Sequence, residues 1–239
     1  MESAATPSPE AYTTRRAWIE EYFDRTASQA WAILTSDAPV SGIRATVRAG
    51  RDRMRQTLAS WLPEDLHGRR ILDAGCGTGQ MSVALARRGA DVVAIDLSKT
   101  LTDIARERLP ADLGSGRVTF LAGDMLDPAL GRFDHVVGMD SLIHYREPDV
   151  LAVLCGLAAR TAVSIVFTFA PRTPLLSVMH ATGRLFPRRD RAPAIEPIGE
   201  EKLKAAIENN PALAGWQSAR TQRIVNGFYT SKALELVKQ

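Results

Sequence analysis

The chain has 239 residues, of which 45% are hydrophobic and 24% are charged, and its formal net charge at pH 7 is +3. This composition is typical of a soluble globular protein and excludes a disordered or membrane-spanning one. A positive charge this small does not indicate a nucleic-acid partner.

The sequence favours a cytoplasmic protein. Its two cysteines, Cys76 and Cys155, are too few for a disulfide framework, which favours a reducing compartment. The N-terminus lacks the basic and apolar regions of a signal peptide. The most apolar stretch, residues 162–170, is about half as long as a transmembrane helix, so any contact with a membrane is expected to be peripheral.

Two helices are predicted before the first strand. Apolar residues recur at intervals of three and four over residues 14–34, which indicates an amphipathic helix. A second helix is predicted over residues 43–62 and ends before Pro63.

Four arginines fall on one face of the second predicted helix. Arg44, Arg48, Arg51 and Arg55 follow one another at intervals of four, three and four. Such a row is either a solvated face or a carboxylate-binding one, because guanidinium groups pair with carboxylates through two parallel hydrogen bonds.

Short β-rich runs then alternate with helical ones, which predicts an α/β fold built on a Rossmann-like, doubly wound parallel sheet. The predicted strands span residues 69–74, 91–96, 117–122, 133–138 and 161–169, and the predicted helices span residues 79–88, 99–109, 147–160 and 199–208.

The C-terminal part departs from this alternation in two places. Asn226-Gly227 between two apolar runs predicts an antiparallel hairpin at the end of the sheet. Residues 171–198, rich in proline and arginine, are interpreted as an insertion after strand five that either covers a ligand or forms a dimer contact. The chain thus divides into a tail and cap helices, residues 1–62, and a ligand-binding domain, residues 63–239.

A glycine loop follows the first predicted strand. Asp73 ends the strand, and Gly75, Gly77 and Gly79 follow at alternate positions. In open α/β sheets this turn is where a nucleotide binds, because glycine lets the backbone approach the ligand. The dinucleotide pattern G-x-G-x-x-G requires glycine at the position of Gln80, so a nicotinamide coenzyme is disfavoured.

Two acidic residues after the next strands fit the same nucleotide site. Asp96 lies 21 residues after Gly75, where a carboxylate can accept hydrogen bonds from both ribose hydroxyls. The simpler alternative is that Asp96, or Ser98, caps the following helix. Asp124 likewise either contacts the ligand or merely forms a turn.

Together these stretches resemble the motifs of class I S-adenosylmethionine-dependent methyltransferases, and the resemblance implies that fold and that cofactor. It assigns Asp73 to the amino group of the cofactor, Asp96 to the ribose and Asp124 to the adenine. The cofactor contacts implied by the resemblance are Asp73, Gly75, Gly77, Asp96, Leu97, Asp124, Met125 and Met139. No metal-binding residue is expected.

The methyl acceptor is expected to be a small molecule. Enzymes that methylate base amino groups carry N-P-P-Y or D-P-P-Y after the fourth strand, whereas this chain has Met139-Asp140-Ser141-Leu142. Residues 22–187 further resemble the magnesium-protoporphyrin IX O-methyltransferases of bacteriochlorophyll synthesis, in stretches such as E-Y-F-D-R-T-A-S-Q-A-W, L-I-H-Y-R-E and F-T-F-A-P-R-T-P-L-L.

This second resemblance implies methyl transfer from S-adenosylmethionine to a propionate carboxylate of magnesium protoporphyrin IX, with Tyr22 and His144 as catalytic residues. It also implies the large subunit of magnesium chelatase as a partner. Two alternatives stay open: a methyltransferase for another small apolar acceptor such as a quinone precursor, and a non-catalytic protein that binds a tetrapyrrole or S-adenosylmethionine.

A propionate acceptor makes modest chemical demands. With a pKa of about 4.3 the carboxylic acid is almost fully ionised at pH 7, so no strong general base is needed. The enzyme must instead remove water from the carboxylate and align it with the methyl group. His144 could orient the carboxylate, remove a residual proton or ligate the porphyrin's magnesium, while Tyr22 is either a hydrogen-bond donor or a core tyrosine.

Overall fold

A computed structural model of the chain describes residues 9–24, 28–36, 39–172 and 195–239. Most of the predicted insertion therefore lies outside the described residues. The two ends of the insertion are described, and they meet in a parallel bridge between Pro171 and Ile198.

The described residues form a seven-stranded sheet in the order β3-β2-β1-β4-β5-β7-β6. The strands are β1 (Arg70–Ala74), β2 (Asp91–Asp96), β3 (Arg117–Ala122), β4 (Phe133–Gly138), β5 (Thr161–Phe169), β6 (Trp216–Asn226) and β7 (Tyr229–Lys238). The first five are parallel, whereas β7 is antiparallel to both β5 and β6. This confirms the predicted doubly wound sheet with a C-terminal hairpin.

Seven α-helices accompany the sheet in the described part of the chain. They are α1 (Pro9–Tyr22), α2 (Ser28–Leu34), α3 (Ile43–Trp61), α4 (Gln80–Ala86), α5 (Lys99–Glu107), α6 (Glu147–Ala158) and α7 (Glu200–Glu208). Helices α3, α4 and α5 contribute to the apolar core on one face of the sheet, and α6 and α7 contribute to the core on the other.

Each parallel strand supplies both cores because successive side chains point to opposite faces. In β1, Ile71 packs into the core of α3 and Leu72 into the core of α6. Met54 and Leu58 of α3 are fully buried against the sheet, and burial of such a side chain contributes about 1.5–3 kcal/mol. The sheet is thus covered on both faces, and its carboxyl edge is left to bind ligands.

The N-terminal region differs from the prediction. The single helix predicted over residues 14–34 is two helices, α1 and α2, with residues 25–27 outside the described residues. Just after α1, the carboxylate of Asp24 accepts hydrogen bonds from the Ser98 hydroxyl at 2.5 Å and the Thr100 amide at 3.2 Å. This contact with the start of α5 fixes the chain where α1 ends, and local periodicity carries no sign of it.

Candidate functional site

A cavity of about 890 Å³, counting the open space at its mouth, lies at the carboxyl ends of β1, β2 and β4. The glycine loop after β1 forms one wall of the cavity. The N-terminal region contributes the apolar side chains Ile19, Phe23 and Trp31 to the lining of the cavity. The cavity therefore lies where the first crossover meets the sheet, as expected for a nucleotide site.

The glycine loop is held against β2 by its backbone. The amides of Gly75 and Cys76 donate to the carbonyl of Ile95 at 2.8 and 3.0 Å. Gly75 and Gly77 both have positive φ, 83° and 54°, a region that favours glycine. The backbone is thus free of side chains where a ligand would approach it.

We expect Gly75→Ala to destabilise the fold by about 2–5 kcal/mol, from left-handed backbone strain and overpacking together. A Cβ on Gly75 would lie 2.3 Å from the Cβ of Ser141. Gly114→Ala is the matched control, since Gly114 also has positive φ, 65°, but has no atom within 4 Å of such a Cβ. Chemical denaturation should show a clearly larger loss for Gly75→Ala, and equal losses would contradict the packing argument.

The carboxylate of Asp96 lines the cavity at the end of β2. One of its oxygens accepts from the amide of Gly77 at 2.8 Å and the other from the amide of Ser98 at 2.9 Å. The cap of α5 is Ser98, whose hydroxyl accepts from the amide of Leu101. Asp96 is therefore not the helix cap, and the remaining lone pairs of its carboxylate are available to a ligand.

Asp73 is a buried carboxyl group at the end of β1 and also lines the cavity. The hydroxyl of Ser82 donates to it at 2.5 Å. Burial raises the pKa of Asp73 to about 7, and the nearby Asp96 adds to the rise. A cationic ligand would favour the ionised form of Asp73.

The raised pKa of Asp73 predicts a pH dependence of stability. The folded state holds the proton up to about pH 7, whereas the unfolded state releases it near pH 4. The free energy of unfolding should therefore fall as pH rises through this window. Denaturation of wild type and Asp73→Asn between pH 4 and 8 should show a smaller fall in the variant. Parallel curves would contradict this assignment.

Leu97, Met125 and Met139, which the family resemblance implied as cofactor contacts, also line the cavity; their contact with a cofactor stays a prediction. Asp124 is not among the lining residues. Its carboxylate accepts from the amide of Leu126 at 2.9 Å and pairs with Arg16 of α1 at 2.6 Å. In this structure Asp124 therefore anchors the N-terminal helix beside the cavity.

Of the two residues predicted to be catalytic, one lines the cavity and the other does not. His144 lines the cavity in the short 3-10 turn after β4, with its ring centroid 5.9 Å from that of Phe23. Tyr22 is half-buried beside Phe23 but is not among the residues that line the cavity. Burial raises the pKa of the Tyr22 phenol, which keeps its proton in place.

Several lining residues were not predicted from the sequence as cavity residues. Ile19, Phe23 and Trp31 belong to the apolar N-terminal stripe, which is typical of core packing as much as of a ligand cover. Of the arginine row, Arg51 and Arg55 line the cavity. The sequence signal for Arg51 and Arg55 was the helical spacing of the arginine row, which does not show which side chains of the row reach the cavity.

The site fits a nucleoside that carries positive charge. A Cβ on Gly77 would lie 3.3 Å from the indole nitrogen of Trp31, so α2 approaches the backbone of the glycine loop closely. Asp73 and Asp96 place carboxyl groups on the cavity wall, and a carboxylate can accept hydrogen bonds from an ammonium group or from hydroxyls. Sheet order, glycine loop and acidic strand ends together define a class I methyltransferase site that is suited to S-adenosylmethionine.

Comparisons with known proteins support the assignment to the class I methyltransferases and identify a family within that class. Residues 138–238 match the family model described as magnesium-protoporphyrin IX methyltransferase C-terminus, and residues 71–162 match a methyltransferase domain. The chain is 52% identical to the magnesium-protoporphyrin O-methyltransferase of Rhodobacter capsulatus over 228 residues, covering 95% of this chain and 98% of that protein. The chain belongs to the magnesium-protoporphyrin O-methyltransferase family.

More distant relatives and solved structures support the same family assignment. A magnesium-protoporphyrin O-methyltransferase of Synechocystis is 30% identical over 223 residues, covering 92% of this chain and 95% of that protein. The crystal structure of magnesium protoporphyrin IX methyltransferase from Synechocystis PCC 6803 with bound SAH superposes with a TM-score of 0.82 at 29% identity, covering 94% of this chain and 100% of that chain. The cofactor of this family is S-adenosylmethionine.

Proposed function

We propose that this chain transfers the methyl group of S-adenosylmethionine to a propionate carboxylate of magnesium protoporphyrin IX, giving the monomethyl ester. The observation that carries the proposal is 52% identity along 95% of the chain to a magnesium-protoporphyrin O-methyltransferase. The cavity beside the glycine loop supports it, since acidic groups face one part of the cavity and apolar side chains cover it.

The cofactor supplies an electrophilic methyl group on a sulfonium centre. We propose that Asp96 binds its ribose hydroxyls and that the backbone of Gly75 and Gly77 contacts its amino-acid part, with Asp73 near the ammonium group. Leu97 and Met125 are proposed to pack beside the adenine. Asp124, which the family resemblance assigns to the adenine, is paired with Arg16 in this structure.

The acceptor carboxylate arrives ionised, so the protein mainly has to hold and desolvate it. Phe23 and Trp31 line the cavity, and we propose that their apolar rings help to exclude water from the acceptor. We propose that His144 orients the attacking oxygen, since it lines the cavity on the loop after β4. Tyr22, whose phenol stays protonated, is proposed to donate a hydrogen bond to the acceptor after a small movement of α1.

The proposal is tested by offering methyl-labelled S-adenosylmethionine together with magnesium protoporphyrin IX or with a catechol of the quinone-precursor type. The label should enter the porphyrin and be released as methanol by mild alkali, since a methyl ester is hydrolysed there and an aryl methyl ether is not. Label found only in the catechol, in alkali-stable form, would favour the quinone alternative. Binding of both ligands without transfer would favour a non-catalytic protein.

We also propose that the chain receives its substrate from the large subunit of magnesium chelatase. The support is the family membership, because the substrate of this family carries the metal that a chelatase inserts. Transfer of magnesium protoporphyrin from that subunit to this chain, followed by Soret absorbance in the presence of an excess of apomyoglobin as a trap, tests the proposal. Direct handover should resist the trap, whereas release into solvent would be intercepted.

We further propose that the protein works in the cytoplasm and contacts membranes only at their surface. Within the described residues, no helix is long and apolar enough to cross a bilayer. Val225 and Phe228, which flank the hairpin turn, leave 51% and 65% of their surfaces exposed. Phe228→Ser should lower cosedimentation with anionic vesicles, and an unchanged bound fraction would remove the hairpin from the contact.

A further inference from the structure

We propose that the guanidinium group of Arg51 is a carboxylate-binding group of the cavity. The proposal rests on the proposed function, because both ligands of that reaction carry carboxylates: the amino-acid part of the cofactor and the propionates of the porphyrin. Arg51 lies on α3 and its side chain lines the cavity.

Asp140 fixes one side of this guanidinium. The Nη1 of Arg51 lies 2.5 Å from the Oδ2 of Asp140. The same carboxylate accepts hydrogen bonds from the hydroxyls of Tyr229 and Ser231 at 3.1 and 3.2 Å, and from the hydroxyl of Thr168 at 3.2 Å. Asp140 is thus anchored by β5 and β7 and holds Arg51 in one position.

The rest of the guanidinium is open to a ligand. Among the described residues it makes one hydrogen bond, the one to Asp140, and neither its Nε nor its Nη2 is sealed from solvent. Its flat face stacks on the ring of Trp31, 4.4 Å from the ring centroid. The in-plane N–H groups are therefore the ones that a ligand can use, and they match a carboxylate.

The position of Arg51 puts both carboxylates within reach. Trp31, which stacks on it, lies directly over Gly77 of the cofactor loop. Asp140, its ion-pair partner, precedes Ser141, which packs against Gly75. Arg51 is thus placed between the glycine loop and the loop that carries His144.

The other arginines of the row have other roles. Arg48 donates to the carbonyls at the end of α2 at 2.7 and 2.9 Å. Arg55 bonds to Gln80 at 3.0 Å and pairs with Asp52 at 2.9 Å. Arg44 is exposed and does not line the cavity. Of the four, Arg51 is the one that combines an open donor edge with a fixed position in the cavity wall.

Two variants test the role of Arg51 while guarding against misfolding. Arg51→Lys keeps the charge next to Asp140 but loses the planar donor edge. Arg51→Gln combined with Asp140→Asn removes both charges, so that no buried carboxylate is left unpaired. Arg44→Gln, on the same helix but outside the cavity, is the matched control. Thermal unfolding establishes that each variant is folded.

Three ligands distinguish the source of the carboxylate. Calorimetry measures the Kd of S-adenosylhomocysteine, which has a carboxylate, and of 5′-methylthioadenosine, which has the nucleoside without it. Soret absorbance measures the Kd of magnesium protoporphyrin IX alone. Arg51→Lys should raise the Kd of at least one carboxylate-bearing ligand about tenfold, while the Kd of methylthioadenosine stays within twofold of the wild-type value.

Weaker S-adenosylhomocysteine binding alone assigns Arg51 to the cofactor, and weaker porphyrin binding alone assigns it to a propionate. The proposal is overturned if both carboxylate ligands stay within twofold of wild type. It is also overturned if the Kd of methylthioadenosine rises as much as that of S-adenosylhomocysteine, since that would indicate a general loss of cavity shape. Absence of methyl transfer by wild type would reject the proposed function alone, because the calorimetric comparison is independent of turnover.

Discussion

Replacing His144 by alanine is expected to lower kcat about 10²-fold while the Kd of S-adenosylhomocysteine stays within threefold. His144 lines the cavity on the loop after β4, beside the ring of Phe23. General acid or base groups contribute about 10²–10⁴-fold, and the low end is expected here because the acceptor is already ionised. Single-turnover kinetics with preformed cofactor complex would measure the loss.

A control and a conservative variant sharpen this result. His67, exposed and bonded to Ser115 at 3.0 Å away from the cavity, should tolerate alanine with unchanged kcat. His144→Gln keeps a hydrogen-bond donor but cannot take up a proton near neutral pH. Partial recovery of kcat in His144→Gln would indicate orientation, and no recovery would indicate proton transfer. An unchanged kcat in His144→Ala would remove the residue from the mechanism.

Much of the sheet could be predicted because each strand is specified locally. The bounds predicted for β2, β3, β4 and β5 coincide with those in the structure, since each is a short β-rich run closed by turn residues. The hairpin was predictable for the same reason, from Asn226-Gly227. The order of the strands was not predicted, because pairing between strands depends on contacts across the sheet rather than on a local pattern.

The break between α1 and α2 was not predictable from periodicity. Apolar spacing reports which face of a helix is buried, and it carries no mark at Tyr22 where α1 ends. What fixes the chain there is the contact of Asp24 with Ser98 and Thr100. Groups more than 70 positions apart in sequence form this contact, so no local pattern encodes it.

The site likewise contains residues that local sequence could predict and residues that it could not. Gly75 and Asp96 were predictable because backbone approach and a strand-end carboxylate are local requirements of the nucleotide turn. The pair of Arg51 and Asp140 was not, because it joins α3 to the loop after β4 across 89 positions, and the positive φ of 54° at Asp140 has no sequence signal. Phe23, which directly follows α1, lines the cavity, whereas Tyr22 at the end of α1 does not, because side chains adjacent in sequence point in different directions.

Asp96→Ala is expected to weaken S-adenosylhomocysteine binding about 10²-fold. Under the proposed function the carboxylate of Asp96 accepts hydrogen bonds from the ribose, and each hydrogen bond to a charged group contributes about 1.5–3 kcal/mol. The variant also deprives the amide of Gly77 of its acceptor, which loosens the loop. Isothermal calorimetry at constant pH would measure the change in Kd.

The ribose assignment separates this effect from that of Arg51. Because 5′-methylthioadenosine retains the ribose, Asp96→Ala should raise its Kd about as much as it raises the Kd of S-adenosylhomocysteine. Asp91→Ala is the matched control, since Asp91 begins the same strand and pairs with Arg117 at the surface, at 2.7 Å, far from the cavity. If Asp96→Ala weakened S-adenosylhomocysteine and left methylthioadenosine unchanged, the carboxylate would contact the amino-acid part instead, and the orientation proposed for the cofactor would have to be reversed.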